Sequence, residues 1–474
     1  MKPYIHLFRT PRRYYCFDVN TDEIIMIPEN VYNYLENRCD EDILDEKNAG
    51  FVNTLRQQGY LSSHRVSAVR HCHTDDLGYY LENRMSEVLL QVTQVCNLNC
   101  CYCPYAVGTG FSRQRDHSSK VMSWETAKRS LDFLLDHSSE IVDIAVGFYG
   151  GEPFLAFPLI RKAVEYVEEN FAGKRVWYST TTNGTALNDE IIAFLVEKNF
   201  HVTFSIDGPE HIHDTNRRRG DGTGSFRQAF ENLKKTITAF GDEKKDQVNI
   251  NTVLNPANDT DEVRELFRDP FFRDHEVFFT ISPASDNIRD TAFYAREGHY
   301  EQTVYHAFTG LMSNLGLVEG LKTDPVINKY YNSHTNTSDR IKRKKMLPDI
   351  SAPGGPCVPG QHRVFVNADG DMFPCERVTE LSDAAKIGSI YTGFDLEKAE
   401  AMLNIGQLTE DICKNCWAFR HCKICAAKAI RDQELSGKEK LKYCEKTKNS
   451  VNTDLRFIAL KRELESVYKR DLVL

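Results

Sequence analysis

Apolar strand segments alternate with amphipathic helix segments through the middle of the chain, and this alternation constrains the fold most strongly. The strand segments lie at 88–92, 144–148, 176–180, 202–206, 248–253 and 277–281. Helical periodicity falls between them, at 124–136, 157–170, 189–198, 225–239 and 260–268. Six strands alternating with helices predict a parallel sheet that curves into a partial or full barrel. Ligands bind at the carboxyl ends of the strands in such folds, so chemically active residues are expected directly after strands.

Three cysteines follow the first predicted strand at a distinctive spacing. Cys96, Cys100 and Cys103 occur in the run C-N-L-N-C-C-Y-C, and Cys101 is interpreted as a bystander. Thiolates at this spacing can bind three irons of a four-iron cluster and leave the fourth iron open to a substrate or cofactor. The alternatives are chance clustering or a zinc site, although zinc ligands more often form two matching C-x₂-C pairs.

The cysteines of this 474-residue chain are grouped rather than spread evenly. Of the 14, four lie between Cys96 and Cys103, and seven lie between Cys357 and Cys444. In a chain that lacks a signal-peptide pattern, this grouping favours metal or redox chemistry over a disulfide framework. The other three are interpreted as buried, inert thiols: Cys16, Cys39 and Cys72.

Charge and hydropathy exclude two classes of partner. The net charge is −9 and no region is strongly basic, so nucleic acid is not expected as a partner. No segment approaches the roughly 20 apolar residues that a membrane-spanning helix needs. We therefore expect a soluble cytoplasmic protein, with two or three domains because the chain is too long for one core.

Polar motifs follow the second and third predicted strands. The second strand ends in a G-G-E-P motif, in which Gly150 and Gly151 let the backbone approach a ligand closely. Glu152 of the same motif can accept a hydrogen bond from an ammonium group. The third strand ends in T-T-N-G, where Thr182 and Asn183 can bind ribose hydroxyls. Taken singly, each motif is also explained as a polar turn.

The fourth predicted strand ends in S-I-D-G-P, and a basic residue follows. Ser205 and Arg217 suit a carboxylate ligand, and Asp207 lies between them in the chain. The G-D-G-T-G-S segment at 220–225 lacks the lysine of a phosphate-binding loop and does not follow a strand. We interpret this segment as a loop in which Ser225 caps the next helix.

These motifs together resemble radical S-adenosylmethionine (SAM) enzymes over about residues 87–300. The resemblance implies a partial (β/α)6 barrel whose three-cysteine cluster, at Cys96, Cys100 and Cys103, binds the methionyl group of SAM at its open iron. One electron then cleaves SAM to a 5′-deoxyadenosyl radical that abstracts a substrate hydrogen atom. The residues implied to contact SAM are Tyr102, Gly150, Gly151, Glu152, Thr182, Asn183, Ser205, Asp207 and Arg217.

The second cysteine group resembles the SPASM extension of these enzymes, which carries two auxiliary [4Fe-4S] clusters and brings the total to three. The resemblance assigns one auxiliary cluster to Cys413, Cys416, Cys422 and Cys444. It assigns the other to Cys357, Cys375 and Cys425. Two residues separate Cys422 from Cys425, whereas the family usually has three at this point. Eight thiolates are needed and seven are present, which predicts an open iron for a substrate thiolate. The alternatives are water, His362, Asp369, or two zinc sites.

The segments on either side of the barrel complete the predicted organisation. Strands at 4–10, 14–18 and 24–27 and two helices predict a winged-helix-like unit over residues 1–62, whose edge strand can accept a peptide. The alternative is a plain N-terminal cap.

A solvated linker is expected at 63–86, the barrel at 87–310, and a connecting segment at 311–350. The basic run at 340–345 is interpreted as a solvated face or mobile loop. The SPASM domain is expected at 351–474, with a helix at 447–470.

The N-terminal motifs I-H-L-F at 5–8 and Y-C-F-D-V-N at 15–20 resemble the leader-binding (RRE-like) element of peptide-maturing radical enzymes. The whole chain is most similar to thioether-forming ranthipeptide (SCIFF-like) maturases. That resemblance implies a precursor peptide as the substrate and a reductase, flavodoxin or ferredoxin as the electron donor. Two alternatives remain open. One is another radical SAM/SPASM enzyme, such as a carbon–carbon peptide cyclase or an anaerobic sulfatase maturase. The other is a noncatalytic iron–sulfur carrier.

Overall fold

The computed structural model describes residues 2–37, 44–105, 115–284, 295–318, 320–336 and 341–468. Cys39, Arg340 and the predicted end of the last helix at 469–470 lie outside these residues. Within the described part, no helix is long and apolar enough to cross a membrane.

An N-terminal unit contains three antiparallel strands and two helices, as predicted. Its strands are β1 (Ile5–Arg9), β2 (Tyr14–Asp18) and β3 (Glu23–Ile27), and its helices are Glu29–Glu36 and Glu46–Gln57. β2 lies between the other two strands, so β1 and β3 are the edges of this sheet. Its core is formed by apolar side chains that the strands and helices share, including Val31, Tyr34, Val52 and Leu55.

Six parallel strands form the central sheet at the positions that the sequence predicts. They are β4 (Glu87–Thr93), β5 (Asp143–Gly150), β6 (Arg175–Thr182), β7 (His201–Ser205), β8 (Val248–Leu254) and β9 (Phe278–Pro283). Each pairs in parallel with its neighbour in chain order, from β4 at one side to β9 at the other. The strands therefore form the predicted partial barrel, with all carboxyl ends on one side.

Amphipathic helices cover the outside of this sheet. They span Trp124–Asp136, Phe157–Asn170, Asp189–Glu197 and Phe226–Phe240. The side chains of Ser123 and Asn188 accept hydrogen bonds at the start of the first and third of these helices. The predicted helix at 260–268 is instead one α-turn, Thr260–Val263, followed by the 3-10 turn Arg264–Arg268. Pro270 disfavours helical backbone at Asp269 and so limits this segment.

The C-terminal part extends the barrel sheet, which the sequence does not predict. Its strands are β10 (Val364–Val366), β11 (Asp371–Phe373), β12 (Gly388–Ser389) and β13 (Gly393–Phe394). β10 pairs in parallel with β4, and the last three strands continue the sheet in antiparallel order. The sheet order is therefore β9-β8-β7-β6-β5-β4-β10-β11-β12-β13. The remaining helices of seven or more residues are Leu77–Asn83, Glu210–Asn216, His299–Asn314, Pro325–Thr335, Leu396–Leu403 and Cys444–Tyr468.

The predicted linker is packed, whereas the described basic residues of the basic run are exposed. In the linker, Ala68–Val69 pairs with Ile350–Ser351, and Val69, Leu77 and Leu81 are buried. The linker is therefore not a solvated segment, because its apolar side chains enter the cores beside it. Residues 342–345 of the basic run are exposed, in agreement with the predicted solvated face, although Ile341 is buried and Lys344 pairs with Asp22 of the N-terminal unit.

The N-terminal unit lies directly against the second cysteine group. The Tyr4 hydroxyl donates a hydrogen bond to the Cys416 carbonyl at 2.8 Å. The His6 ring stacks on Trp417 with centroids 3.6 Å apart, and His421 Nε2 is 2.6 Å from the Asp22 carboxylate. This unit thus forms one wall around the cysteines of the C-terminal part.

Candidate active site

A cavity of about 1300 Å³ opens at the carboxyl ends of the barrel strands. All three cysteines of the C-x₃-C-x₂-C run line it. Of the predicted SAM contacts, those that also line it are Tyr102, Gly150, Gly151, Thr182, Asn183, Ser205 and Arg217. The parallel strands bring these residues together because each motif directly follows a strand.

The three thiols influence one another electrostatically. Burial raises the pKa of Cys96 to about 12, and the neighbouring Cys103 contributes to that rise. Burial also raises the pKa of Cys100, with smaller contributions from Cys103 and Cys96. Cys101 has different neighbours, because Asn255 Nδ2 donates to its Sγ at 3.5 Å. The structure thus groups Cys96, Cys100 and Cys103 and separates Cys101, as the sequence predicts.

A buried cation stands beside these thiols. Arg217 Nη1 is 3.9 Å from Cys100 Sγ and acts to lower the pKa of that thiol. The two residues are direct partners, because Leu98–Cys100 pairs in antiparallel register with Arg217–Arg219. Three thiols and one guanidinium in a single cavity fit an anionic cluster, because thiolates are its ligands and a cation offsets part of its charge.

Asp207 holds Arg217 in place. Arg217 Nε donates to one carboxylate oxygen of Asp207 at 3.0 Å, and the Tyr102 hydroxyl donates to the other at 2.6 Å. The guanidinium also lies over the Tyr102 ring, 5.3 Å from its centroid. Asp207 is fully buried behind the residues that line the cavity, and its carboxylate also accepts a hydrogen bond from Val253 N at 3.3 Å, so its partners in this structure are protein groups. Direct contact of Asp207 with SAM stays a prediction.

The paired glycines bring two stretches of backbone together. A Cβ atom on Gly150 would lie 2.1 Å from the Thr93 carbonyl oxygen, and one on Gly151 would lie 2.1 Å from that of Val95. Gly150 also has a φ of 151°, a conformation that favours glycine. The sequence predicts that these glycines let the backbone approach a ligand. In the structure they let it approach the backbone segment that leads into Cys96.

Glu152 joins the ends of β5 and β6. Its carboxylate accepts hydrogen bonds from Asn183 N at 2.7 Å, Thr182 Oγ1 at 2.8 Å and Phe154 N at 3.2 Å. Burial raises the pKa of Glu152 to about 7, and these hydrogen bonds oppose the rise. Because Glu152 is buried behind the cavity wall, its observed partners are protein groups, and the contact with an ammonium group stays a prediction.

Asn183 connects the third strand end to the cysteine loop. Its Nδ2 donates to Asn97 Oδ1 at 2.9 Å, and its Oδ1 accepts from the Thr185 hydroxyl at 2.6 Å. Ser225 occupies the predicted N-cap position of Phe226–Phe240, but its hydroxyl donates to the Arg217 carbonyl at 2.7 Å rather than capping the helix. The Asp214 carboxylate accepts hydrogen bonds from the backbone N–H groups of Ser225 and Phe226 at the start of that helix.

Sequence reasoning missed much of the opposite wall. Asn249 and Asn251 of β8 and Thr280 and Ser282 of β9 line the cavity with neutral polar groups. The sequence does contain a pattern that could have identified this wall, because polar residues alternate with buried apolar residues along β8. The cations of the wall come from segments far apart in the chain, which no local pattern groups: Lys329, Arg363, Arg377, Lys428 and Lys446.

The C-terminal cysteines form two groups. Cys413 raises the pKa of Cys416, Cys422 and Cys444, in each case less than burial does. Cys416, Cys422 and Cys444 therefore lie within electrostatic range of Cys413.

Cys375 belongs to the other group. Burial and Glu376 raise its pKa to about 11, and Cys425 adds to the rise. Cys357 is exposed. Asp369, an alternative ligand, is paired with Lys120 at 2.7 Å. Cys375 and Cys425 are thus within electrostatic range of each other, and the division of the seven cysteines between two clusters stays a proposal.

Comparison with known proteins identifies the barrel. Residues 90–269 match the family model of the radical SAM superfamily. A cysteine-type anaerobic sulfatase-maturating enzyme of Clostridium perfringens is 25% identical over 383 residues, which cover 77% of this chain and 94% of that protein. A radical SAM cyclopropyl synthase of Paramaledivibacter caminithermalis is 24% identical over 212 residues, 43% of each chain.

Two further proteins are similar to this chain over different shares of their own length. An uncharacterised protein of Methanocaldococcus jannaschii is 38% identical over 141 residues, and the chain spans only 45% of its length. The solved structure of native anSMEcpe with bound AdoMet and Cp18Cys peptide superposes with a TM-score of 0.56 at 22% identity. That match covers 80% of this chain and 99% of the other, and it shows a shared fold. A radical SAM domain implies a [4Fe-4S] cluster and SAM. Residues 90–269 of this chain therefore contain a radical SAM domain, and most of the chain is similar to an anaerobic sulfatase-maturating enzyme, which is consistent with an enzyme.

Proposed function

We propose that this enzyme installs thioether crosslinks between cysteine sulfur and carbon in a ribosomally synthesised precursor peptide. One observation carries the proposal. The cavity that contains Cys96, Cys100 and Cys103 continues to Glu376 and Arg377, which directly follow Cys375. It also reaches Lys428, three residues after Cys425. A peptide in this single cavity can therefore present one residue to the radical site and a cysteine to the second cysteine group.

The chain's own residues would bind and orient that peptide. When bound, SAM supplies the radical that removes a hydrogen atom from the substrate. Neutral amides and hydroxyls on β8 and β9 can hydrogen-bond an extended peptide backbone, since they offer both donors and acceptors. Ser282 Oγ already donates to Asn251 Oδ1 at 2.8 Å, which fixes the orientation of that amide.

We propose three [4Fe-4S] clusters, with two in the C-terminal part. Cys413, Cys416, Cys422 and Cys444 would fully ligate one of them. Cys357, Cys375 and Cys425 would hold the other and leave one iron for the substrate thiolate. The net reaction balances: the peptide loses one S–H and one C–H hydrogen as the S–C bond forms. When bound, SAM would take up one electron and the C–H hydrogen to give methionine and 5′-deoxyadenosine. The thiol would release its proton, and the electron would return to the auxiliary cluster as the S–C bond forms.

We propose that the N-terminal unit binds the leader of the precursor along β3. The other edge, β1, is covered, because His6 pairs with Asn452 and Thr10 with Glu463 of the last helix. On β3, Met26 is 52% exposed, so this edge is the one open to strand addition. A reductase, flavodoxin or ferredoxin would supply the electron, and a cytoplasmic location remains a prediction.

Co-expression tests the proposal. The enzyme is co-expressed with a candidate cysteine-containing precursor peptide, and the peptide is purified and its mass is measured by mass spectrometry. We expect the peptide to lose two hydrogens per crosslink and its cysteines to resist iodoacetamide. Cys375→Ala should abolish the crosslink, whereas Cys101→Ala should retain it. A wild-type enzyme that leaves all thiols free to alkylate would contradict the proposal.

A second candidate is sulfatase maturation. The observation in its favour is that the similarity covers 94% of the cysteine-type maturase of Clostridium perfringens. A competition assay separates the two functions: equal amounts of a sulfatase-derived cysteine peptide and of the precursor are offered to one preparation of enzyme. Modification of the sulfatase peptide alone would favour this second candidate.

A further inference from the structure

Lys440 is a buried lysine inside the second cysteine group. It lies on the helix Gly437–Leu441 and is only 2% exposed. Its ammonium donates to Thr409 Oγ1 at 2.5 Å and to Cys413 Sγ at 3.2 Å. In the part of the chain that the structure describes, no carboxylate forms an ion pair with it; the adjacent Glu439 pairs instead with Lys442 at 2.6 Å.

A buried ammonium group requires an anion near it. Loss of hydration makes an isolated buried charge costly, and a hydroxyl and a thiol are neutral partners that offset little of that cost. The available source of negative charge is the cysteine group itself. Lys440 acts electrostatically on Cys422 and Cys444 as well as contacting Cys413. It therefore faces three of the four thiols of the fully ligated cluster proposed above.

We infer that Lys440 is a positioning residue that offsets the negative charge of the iron–sulfur cluster at Cys413, Cys416, Cys422 and Cys444 and raises its reduction potential. The physical basis is that net charge and hydrogen bonds to the cysteine sulfurs set the potential of such clusters. A cation beside the sulfurs stabilises the reduced form, which carries one more electron. The inference rests on the proposed auxiliary cluster and is independent of the thioether product.

The test compares three variants of the reconstituted holoenzyme. Lys440→Met removes the charge and keeps most of the side-chain volume, and Lys440→Arg keeps the charge. Lys438→Met is the matched control, because Lys438 is an exposed lysine on the same helix. All are made in a background in which Cys96, Cys100 and Cys103 are alanine, so that the SAM-binding cluster does not contribute to the spectra. Iron is counted, and each cluster is titrated with a reductant while its electron paramagnetic resonance signal is followed.

We expect Lys440→Met to shift one midpoint potential to lower values, Lys440→Arg to stay close to the parent, and Lys438→Met to leave both potentials unchanged. Loss of one signal in Lys440→Met with retention in Lys440→Arg supports the same conclusion, because the two differ in charge. Three results would overturn the inference: an unchanged potential in Lys440→Met, loss of the signal in both Lys440 variants, or an equal shift in Lys438→Met. A parent protein with only one auxiliary cluster would instead overturn the cluster assignment on which it rests.

Discussion

Arg217→Met tests whether the buried pair between Arg217 and Asp207 organises the radical site. The substitution removes the guanidinium and leaves the Asp207 carboxylate buried. That carboxylate then keeps only the Tyr102 hydroxyl at 2.6 Å and Val253 N–H at 3.3 Å of the donors described here. Removing one partner of a buried ion pair costs about 3–5 kcal/mol, because the remaining charge is uncompensated.

This cost predicts a large shift in thermal unfolding. At about 2–4 °C per kcal/mol for a domain of 150–250 residues, the barrel should unfold about 6–20 °C lower. The assay is scanning fluorimetry of the iron-loaded enzyme under anaerobic conditions. A double variant, Arg217→Met with Asp207→Asn, should recover much of the loss because it no longer buries an unpaired carboxylate.

Arg227→Met is the matched control for this prediction. Arg227 also pairs with a carboxylate, that of Glu210 at 2.7 Å, but its side chain is 85% exposed. A surface pair of this kind contributes about 0–1 kcal/mol. If Arg217→Met lowers the unfolding temperature no more than Arg227→Met, the reasoning about Arg217 and Asp207 is refuted.

Three further predictions concern the cysteines and Glu152. Cys100→Ala should abolish cleavage of SAM to 5′-deoxyadenosine, whereas Cys101→Ala should retain it. Liquid chromatography of the nucleoside measures cleavage by both variants. Cleavage by Cys100→Ala would contradict the assignment of the SAM site. The reconstituted chain should contain about twelve irons from three four-iron clusters, and stoichiometric zinc in elemental analysis would contradict this count. Glu152 has a pKa of about 7 in the fold against an ordinary value of 4.5, so its protonated form is favoured there. Wild-type stability should therefore fall relative to Glu152→Gln, by up to about 3 kcal/mol, as the pH rises from 4.5 through 7. Parallel thermal profiles of the two proteins between these pH values would refute that assignment.

The barrel strands were predictable because each is a short apolar run bounded by polar turn residues. Six such runs, separated by helices with one apolar face, leave few arrangements other than a parallel sheet. The cavity residues that belong to the strand-end motifs were predictable for the same reason, since motifs that end parallel strands meet at one edge. Cys96, Asn183 and Arg217 are far apart in the chain, and the order of the strands alone brings them together.

Other features depend on long-range packing that leaves no local pattern. β10 is three residues long and joins β4 across more than half the chain, so nothing in Val364–Val366 marks it as part of the barrel. Glu152 and Asp207 were identified as site residues, but their partners depend on which side of the strand end is buried. Lys440 lies in the sequence K-E-K-L-K, which resembles an exposed charged turn, and only the fold shows that its ammonium is buried.

The most direct test of the proposed function asks whether the substrate cysteine reaches the second cysteine group. The enzyme with Cys96, Cys100 and Cys103 replaced by alanine should retain the proposed auxiliary clusters but should not turn over. The electron paramagnetic resonance spectrum of its reduced form is recorded with the precursor peptide and with the same peptide in which serine replaces cysteine. We predict that the cysteine peptide changes the signal of one auxiliary cluster and that the serine peptide does not. Identical spectra with both peptides would contradict the proposal that the substrate thiolate binds the cluster at Cys357, Cys375 and Cys425.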